Sequence, residues 1–292
     1  MVARHGACRC EGSEVYSFAR KPIWLIGHAL AGGLLVIFVI AGFWQLSRHT
    51  EVRDRNAAIV ERTEMRPLDA DRFFEAVSDA DLADELQYRT VTLPVERFDW
   101  EDSVRIRNRS FNGQAGCHLA VPAAVTSNDN AELRGVLVVA GWLHQTMCDD
   151  QPDARSRPYR TELDGAGHLE GRVRLTQQRG LLGPADPAEG RLASLARANV
   201  ERIDQQTALD LVPVYVELTG AATADGKAVL VGADAIGNTA TLRLLPPPEF
   251  DAGPHLGYTI QWFSFAAVAI VGYTLVLRHQ ARKGDSEQIA DD

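Results

Sequence analysis

Cysteine and positive charge are both in short supply in this chain of 292 residues. Its four cysteines, two near the N-terminus and two in the middle, are too few for a disulfide-rich framework. Lysine and arginine number 30 against 39 aspartates and glutamates, which gives a formal net charge of -9 and a pI near 5.4. Because binding to nucleic acid needs a clustered basic surface, this balance argues against a nucleic-acid partner.

Motifs that carry catalysis are also missing. The sequence contains no Walker loop, no GxGxxG after a strand, no GxSxG elbow, no HExxH and no CxxC. Acidic pairs such as Asp149-Asp150 occur in segments with the composition of solvated loops. We therefore expect no enzymatic activity, no catalytic residue and no resident metal ion.

Two long runs without Asp, Glu, Lys or Arg stand out instead, at residues 23–46 and 258–277. Twenty helical residues rise ~30 Å, which is the thickness of the hydrocarbon core of a bilayer. Trp24 and Trp44 lie near the two ends of the first run, as in the aromatic belts of membrane helices. A cleaved signal peptide has an apolar core of only ~7–15 residues, so an uncleaved anchor is favoured. We predict transmembrane helices at 23–46 and 255–277, in contact with the lipid bilayer.

Basic residues beside these runs predict the orientation in the membrane. Four precede the first run and three follow the second: Arg4, Arg9, Arg20 and Lys21, then Arg278, Arg282 and Lys283. Residues 246–257 contain none, although Arg48, Arg53 and Arg55 after the first run point the other way. Since cytoplasmic flanks are enriched in basic residues, the balance places both termini in the cytoplasm. The prediction is a multi-pass plasma-membrane protein with a cytoplasmic tail (1–22), a helix (23–46), an extracytoplasmic domain (47–254), a helix (255–277) and a cytoplasmic tail (278–292).

The central segment alternates apolar and polar residues in several short stretches, as β-strands do. Strand candidates are 88–98, 103–107, 117–125, 134–142, 169–177, 212–219 and 242–245, and a turn-rich link at 126–130 predicts an antiparallel hairpin. Spacing predicts an amphipathic helix within 69–86, and Asp204–Leu211 is predicted as a short helix capped by Asp204. The expected fold class is α+β, with two transmembrane helices flanking one extracytoplasmic domain that is mainly antiparallel β, barrel-like, with peripheral helices.

Two pairs of soft ligands lie in the central domain, Cys117-His118 and Met147-Cys148. If the predicted hairpin forms, it brings the two cysteines into the same region. A disulfide, two unrelated thiols and a site for Cu(I) are then all open. The third is included because Cu(I) prefers cysteine and methionine as ligands.

His255 stands at the start of the second apolar run and is followed by Tyr258 and Trp262 at helical spacing. Residues three, four and seven apart share one face of a helix, so a histidine at the membrane surface is predicted above an aromatic wall. This arrangement suits an axial ligand with a face for a porphyrin. It equally suits an interfacial anchor, since Tyr and Trp are common at the headgroup level. His28, in the first run, is expected either to hydrogen-bond to the other helix or to face a cofactor.

Two motifs at the membrane edges are specific. Residues 42–48 are Gly-Phe-Trp-Gln-Leu-Ser-Arg, and residues 254–263 are Pro-His-Leu-Gly-Tyr-Thr-Ile-Gln-Trp-Phe. The first resembles the G-x-W-Q-x-x-R signature of the surfeit locus protein 1 family of cytochrome c oxidase assembly factors. The second resembles the start of that family's second span. The resemblance covers about residues 23–280, and residues 183–192 look like the actinobacterial branch.

The resemblance implies a membrane-anchored, non-enzymatic factor that assists haem a insertion into subunit I of a haem-copper (aa3-type) cytochrome c oxidase. The implied partners are subunit I and other oxidase assembly factors. Some members are thought to bind haem a through the histidine of the second motif. His255, Tyr258 and Trp262 are therefore the expected contacts of transiently bound haem a. The alternative is a scaffold or accessory subunit, bound to the oxidase or a respiratory supercomplex, without a cofactor of its own.

One family motif is altered in this chain. The family usually carries Asn-Arg-Gly-Trp-Val-Pro in its central hairpin, whereas residues 139–144 are Val-Ala-Gly-Trp-Leu-His. The loss of Asn-Arg and Pro puts any polar role of this turn in doubt, while Gly141 and Trp142 are expected to keep the structural role. The pair Cys117 and Cys148 is not a feature that the family leads us to expect.

Overall fold

A computed structural model describes residues 16–79, 82, 84–127, 133–148, 160, 163–181, 183–229 and 242–291, with the side chains of the last helix described as far as Lys283. The N-terminal cysteines, most of the predicted link at 126–130 and Asp149-Asp150 lie outside these residues. The chain divides into two compact units. One consists of Met1–Ala57 and Phe250–Asp292, and the other is Ala58–Glu249.

The helices of the described residues are α1 (Pro22–Glu64), α2 (Ala70–Ser78), α3 (Val200–Asp204) and α4 (His255–Asp291). By length and composition α1 and α4 can cross a membrane. In the most apolar 18-residue stretch of each helix, only 0% and 6% of the residues, respectively, are buried inside the protein. The predicted spans 23–46 and 255–277 lie inside these two helices. Both helices continue beyond the predicted spans, α1 through 47–64 and α4 through 278–291. The limits of the membrane itself stay a prediction.

In the first unit α1 and α4 pack against each other along a narrow stripe. The half-buried or buried positions include a series that alternates steps of four and three residues: Trp24, His28, Ala31, Leu35, Phe38, Gly42 and Gln45 on α1, and His255, Thr259, Trp262, Ala266, Ala269 and Tyr273 on α4. This spacing is that of the seam between two helices of a coiled coil. Contacts between His255 and Gln45 at one end and between Tyr273 and His28 at the other make the pair antiparallel. The apolar residues on the outer faces remain exposed, as lipid contact would require.

The second unit is built on a mixed sheet. Its strands are β1 (Thr90–Phe98), β2 (Val104–Phe111), β3 (Gln114–Thr126), β4 (Leu133–His144), β5 (His168–Leu175), β6 (Ser194–Leu195), β7 (Leu211–Ala222) and β8 (Ala228–Val229). The order is β1-β5-β7-β4-β3-β2-β6, with β8 beside β7. The predicted hairpin is confirmed, because β3 and β4 are antiparallel from Gly116↔His144 to Thr126↔Leu133.

Two pairings correct the expectation of an antiparallel domain. The β4–β7 and β2–β6 pairs are parallel, and the other six pairings among the described strands are antiparallel. The parallel β4–β7 pair joins strands that are 67 or more residues apart in sequence. The alternation of apolar and polar residues within a strand does not indicate which distant strand will pair with it. An additional β1–β3 pairing links β1, β5, β7, β4 and β3 in a closed circuit. The barrel-like shape expected from the sequence stays a prediction.

Each face of the sheet contributes to its own apolar cluster, because successive residues of a strand point to opposite faces. One cluster contains Leu93, Leu119 and Val216 together with Phe73 and Phe74 of α2. The other contains Ile106, Val139 and Tyr215 together with Leu195 and Ile203. The predicted helix within 69–86 is therefore confirmed as the shorter α2, whose apolar side packs on the sheet.

The predicted helix at Asp204–Leu211 is wrong. The helical turn lies earlier, at α3, because the side chain of Asn199 accepts a hydrogen bond from the Arg202 amide at 3.1 Å and caps it. Asp204 ends this helix, and its Oδ1 accepts a hydrogen bond from the Leu211 amide at 2.8 Å, where β7 begins. The strand predicted at 242–245 is reduced to a single bridge between Arg243 and Trp142.

Candidate functional site

His255 is the first residue of α4 and is held by a side chain of α1. Its Nδ1 lies 2.9 Å from Oε1 of Gln45. Because an amide oxygen only accepts hydrogen bonds, this contact places a ring proton on Nδ1, and in the neutral imidazole the lone pair then lies on Nε2. A neutral imidazole whose other nitrogen is fixed by a hydrogen bond is the usual form of a histidine ligand. Gln45 thus holds His255 in the tautomer that can bind a metal through Nε2.

The chain before His255 leaves room beside Nε2. Gly253 has φ +69°, a left-handed conformation that favours glycine. Its amide donates to Oδ1 of Asp251 at 2.8 Å, and Nδ2 of Asn56 donates to the backbone carbonyl of Asp251 at 3.3 Å. A Cβ at Gly253 would stand 3.5 Å from Nε2 of His255. Glycine here keeps a side chain away from the nitrogen that Gln45 leaves free.

Tyr258 and Trp262 have different surroundings, although both follow His255 at helical spacing. Trp262 belongs to the seam between the helices, with its ring centroid 5.8 Å from that of Phe38 on α1 and 6.0 Å from that of Phe265. Tyr258 is 48% exposed. The aromatic wall expected below His255 is therefore partly covered by α1. The assignment of Tyr258 and Trp262 as cofactor contacts stays a prediction.

The two specific motifs at the membrane edges meet in the structure. Gly42 is buried, and a Cβ on it would lie 2.8 Å from the ring of Phe263. Three residues further along α1, Gln45 reaches His255. Sequence patterns alone do not pair Gln45 with His255, which is 210 residues away. The only signal is that each motif lies at the same end of an antiparallel pair of predicted spans.

At the other end of the α1–α4 pair, both ring nitrogens of His28 have hydrogen-bond partners within the protein. The hydroxyl of Tyr273 and Nδ1 of His28 form a hydrogen bond, and Nε2 of His28 lies 3.2 Å from the carbonyl oxygen of Ala19. The expected hydrogen bond between His28 and the other helix is confirmed. Because both ring nitrogens have protein partners, this histidine offers no free nitrogen to a cofactor in this structure.

A comparison with protein families agrees with these two motifs. The model of the SURF1 family matches residues 33–267, a range that contains both the Gln45 motif and the His255 motif. The chain belongs to the SURF1 family. This family is associated with cytochrome oxidase assembly, and its members are generally non-catalytic. A search of curated proteins finds no match to the chain.

The altered SURF1 family motif keeps its structural residues, as expected. A Cβ at Gly141 would lie 2.4 Å from the carbonyl oxygen of Arg243, so only glycine fits there. Trp142 is 1% exposed, and its Nε1 donates to the carbonyl of Arg109 at 3.3 Å. The backbone of Trp142 also exchanges hydrogen bonds with Arg243. Gly141 and Trp142 therefore attach the segment before α4 to the sheet.

Cys117 and Cys148 form a disulfide, with an S–S distance of 2.13 Å and a Cα–Cα distance of 5.9 Å. Of the three alternatives open for these cysteines, the structure takes the disulfide. Two oxidised sulfurs are no longer thiolate ligands, so the soft-metal site proposed for Cys117, His118, Met147 and Cys148 lacks its main donors in this form. Among the described residues, moreover, no three His, Cys, Asp or Glu side chains cluster as a metal site.

Proposed function

We propose that this SURF1 family chain is a membrane-anchored assembly factor for a haem-copper (aa3-type) cytochrome c oxidase that assists insertion of haem a into subunit I. Family membership supports the role in oxidase assembly. The observation that carries the finer proposal is the Gln45–His255 pair at the start of α4. The role requires transient ligation and release at His255, and no bond of a substrate is broken.

The orientation proposed for this role has both termini in the cytoplasm and residues 47–254 outside. Basic residues next to the apolar helices support it, as argued from the sequence. The Cys117–Cys148 disulfide adds independent support, because disulfides persist in oxidising compartments and are rare in the cytosol. The proposed partners are subunit I and other oxidase assembly factors in the plasma membrane.

The residues around His255 fit a haem ligand. If haem a binds here, His255 would hold its iron through an imidazole nitrogen. Gln45 orients the ring, Gly253 leaves the side of Nε2 free of a side chain, and Tyr258 is exposed one turn along the helix. Trp262 packs on Phe38 of α1, so only the part of its ring that α1 leaves uncovered is available to the cofactor.

Haem loading of the full chain tests the ligand. Co-expression with the enzymes that synthesise haem a should yield purified protein with a Soret band. His255→Ala should remove most of the haem from the purified protein, because it takes away the proposed ligand itself. His279→Ala is the matched control, because His279 is an exposed histidine of the same helix. An undiminished Soret band in His255→Ala contradicts the ligand role and leaves the assembly role standing.

A second function, a scaffold that stays on the oxidase without a cofactor, is favoured by one observation. The aromatic side chain of Trp262 is engaged by Phe38, as in an ordinary pair of membrane helices. Haem a and copper contents of the oxidase from a deletion strain separate the two functions. The haem-insertion proposal expects oxidase depleted of haem a. Normal haem a, together with stoichiometric co-purification of the chain with mature oxidase, would support the scaffold.

A further inference from the structure

Three arginines act on one half-buried carboxylate in the second unit. Arg172 of β5 lies opposite Glu217 of β7, and Arg174 is two residues further along the same face of β5. Nε of Arg172 is 3.9 Å from one carboxylate oxygen of Glu217, and Nη1 of Arg174 is 3.5 Å from the other. Arg109 of β2 also acts on Glu217 through its charge. These groups line the face of the sheet opposite to that of Val173 and Val216.

The guanidinium of Arg172 is short of acceptors. Its side chain is only 7% exposed, and within the described part of the chain its Nε has no hydrogen-bond partner. The distance of 3.9 Å to Glu217 is too long for a hydrogen bond. Nε of Arg174 is also buried without a partner, although this guanidinium lies over the ring of Tyr88 at 4.5 Å. Because burying a charged donor without a partner is costly, each of these two Nε–H groups lacks, among the described residues, an acceptor that a ligand could supply.

The charges of the cluster are also unbalanced. Burial raises the pKa of Glu217, even though Arg174, Arg172 and Arg109 all act to lower it. Burial likewise lowers the pKa of Arg172, with only partial compensation from Glu217. Three cations therefore share one poorly solvated carboxylate. A second anionic group would satisfy the charge and the free donors together.

The unused donors are concentrated at Arg172 and Arg174. Beside them, Nε2 of Gln177 donates to the hydroxyl of Tyr215 at 2.9 Å, and Nη2 of Arg109 donates to Oε1 of Gln177 at 3.3 Å. These neighbouring groups already have partners. Arg174, whose side chain is 22% exposed, is the solvent-facing arginine of the pair, whereas Arg172 is the buried one.

We infer that Arg172 and Arg174 form a binding site for an oxyanion, either a phosphate or a carboxylate group of a ligand. Both groups present oxygens that accept charge-assisted hydrogen bonds from the planar donors of arginine. Glu217 borders the site and opposes the anion whenever it is ionised. The site lies within residues 58–249 and does not depend on haem binding at His255.

Calorimetric titration of the full-length chain in detergent, with inorganic phosphate in one series and succinate in another, tests the site. Wild-type protein should bind at least one of the two anions. Arg172→Met should weaken that binding roughly tenfold or more. Glu217→Gln should tighten it several-fold, because the repulsive charge is removed. Arg97→Met is the matched control, since Arg97 is an exposed arginine on β1, and it should bind as wild type.

The two series also distinguish the source of the oxyanion. Binding of phosphate alone assigns a phosphate group, and binding of succinate alone assigns a carboxylate group. Binding of neither anion, or equal affinity in wild type, Arg172→Met and Glu217→Gln, overturns the inference. Thermal melting checks that each variant is folded. If Arg172→Met does not fold, Arg174→Met and the opposite effect of Glu217→Gln decide the outcome.

Discussion

At the scale of single residues, the hydrogen bond from His255 to Gln45 sets what the candidate site can do. Gln45 has no direct contact with the free nitrogen and acts by orienting the ring, so it is a positioning residue. Gln45→Ala should weaken haem retention roughly tenfold, as loss of a second partner does in metal sites. Gln45→Glu keeps an acceptor and should retain the haem. The measurement is the Soret absorbance per protein.

The outcome for these two variants separates orientation from packing. Loss of haem in Gln45→Ala with recovery in Gln45→Glu supports orientation by an acceptor. Equal loss in both variants would show that Gln45 matters only for packing of the helices. The contact between Gln45 and His255 could not be predicted from local sequence, because the two residues are 210 positions apart and belong to different helices.

His118 makes a residue-scale prediction about pH. Burial, helped by the charge of Arg109, lowers the pKa of His118 from 6.5 to about 4. Between these values the unfolded chain binds a proton that the folded chain does not, so acid favours unfolding. Stability should therefore fall as the pH drops from about 6.5 to about 4, by at most about 3 kcal/mol from this residue.

Denaturant unfolding of wild type and His118→Gln across this pH range measures the effect. As the pH falls, the free energy of unfolding of the wild type should decrease more than that of His118→Gln. Other groups titrate in the same range, and comparing the two proteins cancels them. A difference that stays constant with pH would contradict the assignment to His118.

At the scale of elements, the close contact of α1 and α4 rests on Gly42. A Cβ at this position would lie 2.8 Å from the ring of Phe263, which has little freedom beside Phe43 at a centroid distance of 5.3 Å. Gly42→Ala should therefore destabilise the helix pair by about 1–3 kcal/mol, as overpacking does. Gly32→Ala is the control, because a Cβ there meets nothing within 4 Å. Thermal unfolding in detergent should separate the two variants, and equal melting would exclude this contact.

The disulfide joins the start of β3 to the end of the β4 hairpin, across a sequence separation of 31 residues. Closing a loop of this size stabilises a fold by about 3–4 kcal/mol in the chain-entropy treatment. Reduction of the wild type should lower its stability by about that amount, and the double variant Cys117→Ala with Cys148→Ala should be insensitive to reductant. A thiol assay on unfolded, unreduced protein should find neither cysteine reactive. Two reactive thiols from these positions would contradict the disulfide.

Local elements could be predicted from the sequence where their cause is local. The hairpin of β3 and β4 follows from the alternation of apolar and polar residues, and the amphipathic α2 follows from the helical spacing of its apolar residues. Both elements could therefore be predicted from the sequence. The prediction of a helix starting at Asp204 was wrong because an aspartate that caps a helix cannot be told by sequence from one that accepts a hydrogen bond at the start of a strand. The parallel β4–β7 pair is long-range, and register between distant strands leaves no local trace.

At the scale of the whole molecule, the sequence predicts the order of the segments along the chain: tail, membrane span, domain, membrane span and tail. This prediction rests only on the two apolar runs and on the basic residues beside them. The candidate site shows the limit of that approach. His255 is visible as a histidine at the start of a span, whereas the fixed tautomer and the covered Trp262 require the packed helices. The arginines around Glu217 have no sequence signature, because their proximity arises from pairing of β5 and β7.

The orientation in the membrane is the last prediction. Spheroplasts that carry the chain with a peptide tag at each terminus, treated with protease, should lose residues 58–249 and keep both tags. The reason is that basic flanks are retained in the cytoplasm, while the disulfide of β3 requires an oxidising side. Detergent-permeabilised cells provide the control in which both tags are lost. Intact residues 58–249 in spheroplasts, with tags removed, would reverse the orientation and place the disulfide and His255 on the cytoplasmic side.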